Sequence, residues 1–122
     1  DLRRRAEVER WMDWQAGDLN MAWRYAFMAL VRKKPGFTDA AEIAASTAEW
    51  NRMMGILDAR LSDTGAYVAG ADFTLADIGI GLATHRWFAT PIERADLPAV
   101  AAYYDRLTER PGFRAHGRNE HP

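Results

Sequence analysis

The residue types that usually carry enzymatic chemistry are sparse in this chain. Among 122 residues there is no cysteine, and the only serines are Ser46 and Ser62. Both lie in or at the end of a helical segment and not in a Gly-x-Ser-x-Gly turn, so neither has the setting of an activated nucleophile. No glycine-rich phosphate loop is present. The sequence therefore predicts no catalytic residue of its own.

The three histidines are too dispersed to indicate a metal site. His116 and His121 lie near the carboxyl end, far along the chain from His85, and a site needs several ligands brought together. His85 follows Ala83 and Thr84 in an apolar helical stretch. We expect a hydrogen-bonded, partly buried side chain there, and no metal.

Composition narrows the class of protein further. Sixteen Lys and Arg residues against seventeen Asp and Glu give a formal charge of −1, without the basic face that nucleic-acid binding requires. No apolar run approaches the length of a membrane span. The length suits one domain, residues 1–122, and the lack of cysteine favours the cytoplasm.

The amino-terminal part is predicted to form one long helix from Leu2 to about Arg32. Large apolar residues recur there every three or four positions in two registers, so we expect the helix to be buried on several sides. Gly17 lies inside it, although glycine disfavours helices by roughly 1 kcal/mol relative to alanine. Its position indicates a bend or a close approach to the backbone.

Two further helices have clear boundaries. Asp39 followed by Glu42 resembles a capping box, and the helix that it opens should end near Gly65. The segment 67–70 is predicted to be an extended connector. A later helix should begin at Pro98, where proline suits the first turn, and end near Arg110.

The best-marked helix start is the segment 73–78, Phe-Thr-Leu-Ala-Asp-Ile. Thr74 is the predicted N-cap: its hydroxyl should accept the Asp77 N–H while the Asp77 carboxylate accepts the Thr74 N–H. Phe73 and Ile78 should pack together as a hydrophobic staple. On this interpretation Thr74→Ala costs roughly 1 kcal/mol, and Asp77→Ala costs more if the carboxylate is buried.

Gly79 and Gly81 follow one turn later, where they should let a neighbouring helix come close. That places the segment 73–90 at the centre of the domain. With no alternating apolar and polar stretch to suggest a sheet, the sequence predicts an all-α bundle of about five helices.

Three segments resemble the C-terminal domain of bacterial glutathione transferases. The run 67–78 is similar to the family's capped central helix with its preceding connector. The stretch from Leu97 to the Arg-Pro-Gly-Phe at 110–113 is similar to its later helices, and residues 10–17 to its long first helix.

The resemblance implies a protein of which this chain is only one half. It implies an upstream thioredoxin-like domain, absent here, that holds glutathione and supplies the residue that activates its thiol. The helical domain would wall the pocket of a small apolar electrophile and build a homodimer interface. The full enzyme would then serve detoxification, and this chain alone would be inactive.

The resemblance also maps a substrate-binding face onto the middle of the first helix. Gly17 would make room, Asn20 could hydrogen-bond glutathione or substrate, Met21 would give a compliant apolar contact, and Arg24 could steer an anionic substrate. Trp87, near the end of the central helix, is the next candidate.

Two other functions remain open at this point. The same helical domain could serve as a non-catalytic protein-interaction module. It could also belong to an isomerase or dehalogenase of the same superfamily that uses glutathione as a cofactor.

Overall fold

The structure is a computed structural model that describes residues 1–116, with side chains through Arg114. In this part of the chain helices follow one another and no strand occurs. The elements are α1 (Leu2–Trp14), a π turn (Gln15–Leu19), α2 (Asn20–Leu30), α3 (Ala40–Thr64), α4 (Ala76–Ala89), α5 (Pro98–Thr108) and α6 (Pro111–His116). Because α1, the π turn and α2 are continuous, the all-α prediction with about five helices is confirmed. The side chain of His116 and the whole of His121, which we expected to form no metal site, lie outside the described residues.

The long first helix forms as predicted, but its middle is wider than an α-helix. Gly17 lies in the π turn, and the Asn20 N–H bonds to the Gln15 carbonyl five residues back. Such turns accommodate one extra residue and often mark functional positions. Nothing approaches Gly17 where a Cβ would be, so a change of helical geometry is found there and a close approach is not.

The expectation that this helix is buried on several sides is wrong for α1, whereas in α2 only Met21 and Arg24 are exposed. Trp11 is the only buried residue of α1. On the other faces Met12 is 41% exposed and Met21 is 80% exposed. Helix α2 packs on α3, α1 packs on α4, and the π turn between them contacts both α3 and α4.

Helix α3 begins and ends where the sequence predicts. Asp39 caps it by accepting the Ala41 N–H at 2.9 Å, and Gly65 ends it in the left-handed conformation with φ of 74°. The reciprocal half of the predicted capping box differs, because the Asp39 N–H donates to the Tyr25 hydroxyl at 3.1 Å. That hydrogen bond ties the start of α3 to α2.

Helix α4 is the centre of the domain, with eight of its fourteen residues buried. The expected close approach at both glycines is confirmed. A Cβ on Gly79 would lie 2.7 Å from Gln15 Oε1, and one on Gly81 would lie 2.9 Å from Leu107 Cδ1 of α5. Tyr103, 0% exposed on α5, also packs into this core. Within residues 1–116, no helix combines the length and apolar character needed to cross a bilayer.

Candidate functional site

The amino-terminal end of α4 is organised around the buried carboxylate of Asp77, which is 0% exposed. Its Oδ2 accepts the Thr74 N–H at 2.9 Å. Its Oδ1 accepts the Val68 N–H at 3.2 Å and the Tyr103 hydroxyl at 2.7 Å. Because these donors come from the connector, the start of α4 and α5, one side chain joins three segments of the chain.

The Tyr103 hydroxyl is held neutral by this environment. Burial is the main cause, and the negative charge of Asp77 is the second; together they raise the pKa of Tyr103 well above its ordinary value of 10.0. A neutral tyrosine keeps its proton for the hydrogen bond to Asp77. The cluster is therefore a satisfied structural unit, and we assign it no chemistry.

One detail of the predicted helix start is corrected. The Asp77 N–H bonds to the Thr74 carbonyl at 3.0 Å, and the Thr74 hydroxyl lies 3.5 Å from Asp77 Oδ2, where it donates weakly instead of accepting. Leu75 already has helical backbone angles, and the Ile78 N–H bonds to its carbonyl at 3.2 Å, so the first turn is closed by main-chain bonds three residues apart. Only the carboxylate half of the capping box forms as expected.

The hydrophobic staple between Phe73 and Ile78 stays a prediction. Phe73 packs edge-on against Tyr67 and lies 3.7 Å beneath the Arg110 guanidinium. Ile78 is 50% exposed. Both side chains line an open cavity of about 650 Å³ between α4 and the start of α6, so Phe73 is held by the connector and by Arg110.

The face predicted to bind substrate lies along the π turn and α2. Asn20, Met21 and Arg24 point to one side of α2 because residues three and four apart share a helix face. Met21 is 80% exposed, and the Arg24 guanidinium lies 5.6 Å from the Phe37 ring centroid. Gly17 precedes them in the π turn and leaves open space beside the backbone. Met21 and Arg24 are thus exposed on α2, and the grouping of the four residues as a substrate-binding face stays a prediction.

Asn20 is the organising residue of this face. Its side-chain carbonyl accepts the Gln15 amide at 3.1 Å and the Trp23 indole N–H at 3.0 Å. Two donors fix the orientation of the amide group, so its NH₂ points away from them. Gln15 also packs against Gly79, which connects the face to α4. Sequence analysis missed Gln15, although the glycine at 79 indicated that something would approach there.

Trp87 does not belong to this surface. It is 1% exposed, and its indole N–H donates to the Asn51 side chain of α3 at 3.0 Å. The expectation that Trp87 contacts substrate is therefore not supported by its burial. The neighbouring residue Arg86 faces outward instead, with its guanidinium 5.1 Å from the Trp23 ring centroid. The available signal for this position was that Arg86 is the one formally charged residue between Ala83 and Ala89.

His85 is a core residue, as expected. It is 4% exposed, and its Nδ1 lies 2.8 Å from the Tyr104 hydroxyl of α5. In the described part of the chain, no three His, Asp or Glu side chains gather closely enough to hold a metal ion. The candidate site is thus the polar and aromatic face around Asn20, bordered by Arg86.

Comparison with known proteins agrees with this architecture. Residues 40–106 match the family model described as "Glutathione S-transferase, C-terminal domain". The chain is 37% identical over 111 residues to glutathione S-transferase GstB of Escherichia coli strain K12, covering 91% of this chain and 53% of that protein. It is 26% identical over 117 residues to the disulfide-bond oxidoreductase YfcG of the same strain, covering 91% of this chain and 50% of YfcG.

The fold matches solved structures over nearly the whole chain. The theta class glutathione S-transferase of Xanthomonas axonopodis pv. citri, solved in apo form and with glutathione bound, superposes with a TM-score of 0.87 at 34% identity. The match covers 95% of this chain and 60% of the Xanthomonas chain. The chain belongs to the glutathione S-transferase family, as its C-terminal helical domain. It spans about half the length of the curated relatives that it matches.

Proposed function

We propose that this chain is the helical half of an enzyme that conjugates glutathione to small electrophiles, with the face of Gly17, Asn20, Met21 and Arg24 as one wall of the electrophile pocket. The observation that carries the proposal is the exposure of Met21, at 80%, beside the fixed amide of Asn20. A flexible apolar side chain next to a directed polar group is a common composition for a ligand-binding wall.

The other half of the enzyme would be a thioredoxin-like domain that holds glutathione. Its proposed docking surface includes the exposed apolar side chains of Leu75 and Ile78, which are 65% and 50% exposed. Exposed apolar groups of this size commonly mark an interface. Since this chain offers no thiol-activating group, we expect it to be inactive alone.

A homodimer is the proposed assembly. Trp11, Trp14, Met53 and Ile56 of α1 and α3 border an open cavity of about 560 Å³, and Ile56 is 39% exposed. Apolar and aromatic side chains of this kind are enriched in subunit interfaces. Detoxification in the cytoplasm is the role that we propose for the assembled enzyme.

Steady-state kinetics test the proposal. They are measured on a protein in which this domain is joined to the proposed thioredoxin-like domain. With 1-chloro-2,4-dinitrobenzene as the electrophile, Met21→Ala and Asn20→Ala should each raise the KM for the electrophile several-fold and leave the KM for glutathione nearly unchanged. Met12→Ala is the matched control, because Met12 is an exposed methionine of α1 that is not among the four residues of the face. Equal effects of Met12→Ala and Met21→Ala would remove the pocket assignment.

A second reaction is favoured by the relationship to YfcG. A protein with 26% identity to a disulfide-bond oxidoreductase should also be assayed for glutathione-dependent reduction of hydroxyethyl disulfide. Disulfide reduction that is faster than conjugation would indicate that the enzyme is mainly a disulfide reductase, as the name of YfcG describes. Absence of both reactions and of glutathione binding would favour the non-catalytic interaction module.

A further inference from the structure

Arg86 differs from the other half-buried arginines of this domain. Arg60 donates to the Val68 carbonyl and to Glu7, and Arg106 donates to the Ala66 carbonyl. The Arg86 guanidinium lies over two rings, 5.1 Å from the Trp23 centroid and 5.9 Å from the Phe27 centroid. Within residues 1–114 it has no hydrogen-bond acceptor and no acidic partner. Its five N–H donors are therefore open to a ligand.

A second arginine shares the same aromatic support. The Arg32 guanidinium lies 5.3 Å from the Phe27 ring centroid, and none of the described carboxylates pairs with it. The two charges influence each other, because burial and then the nearby Arg32 charge lower the pKa of Arg86. Two like charges close together destabilise one another unless an anion lies between or beside them.

The ends of two helices explain why this pair is tolerated. Arg86 lies in the last turn of α4, and Arg32 follows the end of α2. Cations are stabilised at helix carboxyl ends by about 0.3–1 kcal/mol. That effect offsets the repulsion without occupying the N–H donors of either guanidinium.

We propose that Arg32 and Arg86 bind the carboxylate of a small organic acid whose apolar body packs on Trp23. This inference rests on the proposed function, because it identifies the electrophile class as one that carries an acid group. Guanidinium groups suit the task, since their planar forks bind carboxylates through two parallel hydrogen bonds. The Trp23 indole is positioned for contact by its hydrogen bond to Asn20 at 3.0 Å.

Binding of a probe that needs no glutathione tests this proposal. Naphthalene-2-carboxylate and its neutral amide, naphthalene-2-carboxamide, have the same apolar body and differ in charge. In calorimetric titrations of the 122-residue chain, the acid should bind about tenfold or more tightly than the amide, because hydrogen bonds to a charged group contribute about 1.5–3 kcal/mol. The preference should decrease as salt concentration rises.

Matched variants assign the effect to the two arginines. Arg86→Met and Arg32→Met should each reduce acid binding about tenfold and leave amide binding unchanged, since methionine keeps the apolar stem. Arg3→Met removes the same charge from an exposed position on α1 and should change neither. Arg86→Lys keeps the charge but not the fork, so it should retain only part of the preference.

Clear outcomes would overturn the proposal. Equal affinity for acid and amide would do so, as would an equal loss caused by Arg3→Met. If circular dichroism shows that Arg86→Met is unfolded, Arg32→Met carries the test, because that side chain is exposed. Acid binding by this chain without conjugation in the joined protein would remove the transferase proposal and keep this one.

Discussion

The two ends of helix α4 treat their charged side chains in opposite ways. At the amino end Asp77 is fully buried, and every donor around it is used in hydrogen bonds to other parts of the fold. Near the carboxyl end Arg86 is half-buried against aromatic rings without an acceptor among the described residues. A buried charge with satisfied partners holds a fold together, whereas a partly buried charge with open donors is available to a ligand.

Removing the charge at the amino end should cause the largest effect. Asp77→Ala leaves the Val68 N–H, the Thr74 N–H and the Tyr103 hydroxyl without their acceptor, so we expect a loss of about 3 kcal/mol or more in the free energy of unfolding. Urea denaturation at low temperature measures it. Asp72→Ala is the control, because Asp72 is 70% exposed in its pair with Arg4 and should change stability by less than about 0.5 kcal/mol. Similar losses for the two variants would contradict the role given to Asp77.

The middle of α4 offers a test of packing between the two ends. A Cβ on Gly81 would lie 2.9 Å from Leu107 and 3.0 Å from Phe113, so Gly81→Ala should destabilise the domain by about 1–3 kcal/mol. Gly55→Ala should have the opposite sign, since nothing lies within 4 Å of a Cβ there and alanine favours α3 by about 0.5–1 kcal/mol. Thermal melts of the two variants should shift in opposite directions; shifts of the same sign would argue against close packing at Gly81.

Tyr103→Phe removes one donor from the Asp77 cluster and should cost about 1.5 kcal/mol at neutral pH. Its pH dependence has a definite sign. Because the pKa of Tyr103 is raised in the folded state, the folded chain holds that proton more tightly than the unfolded chain. The resulting stability is complete below the ordinary pKa near 10.0 and is lost as pH rises above it. The free energy of unfolding, measured from pH 8 to 11, should therefore fall more steeply in the wild type than in Tyr103→Phe. Parallel curves for the two proteins would exclude this coupling.

Thr74→Ala should have a smaller effect than the sequence alone suggests. The hydroxyl is 3.5 Å from Asp77 Oδ2, while the main-chain N–H makes the shorter bond at 2.9 Å. Alanine keeps that main-chain bond, so we expect a loss of about 0.5 kcal/mol or less. A loss near that of Asp77→Ala, in the same urea denaturation series, would mean that the hydroxyl caps the helix after all.

At the carboxyl end, Arg86→Met should change the free energy of unfolding least, by less than about 0.5 kcal/mol. The methionine stem can still cover Trp23, and no hydrogen bond to another described residue is lost. Combined with the binding titrations, this variant separates binding from folding. A large loss of stability in denaturation would show that Arg86 is structural, as Asp77 is.

Residues at the helix ends predicted much of the fold. They did not predict how each helix is rotated about its axis, and therefore which side chains face the core. The caps at Asp39 and Gly65 and the proline at 98 placed helix ends correctly, because those interactions reach only a few residues along the chain. The choice between Arg86 and Trp87 as the outward residue did not follow, since adjacent helical residues differ by about 100° in direction. Packing of α4 against α1 and α5 left Trp87 pointing inward, where its indole N–H donates to Asn51 of α3.

The same division applies to the two charged side chains. Sequence spacing alone predicted that Asp77 would accept a hydrogen bond from the Thr74 N–H, because both groups lie within one turn. Only the tertiary structure brought Val68 and Tyr103 to the same carboxylate and aligned Asn20, Trp23 and Arg86 on one surface. Contacts within a turn are set by neighbouring residues, whereas contacts between distant segments depend on how the whole core packs.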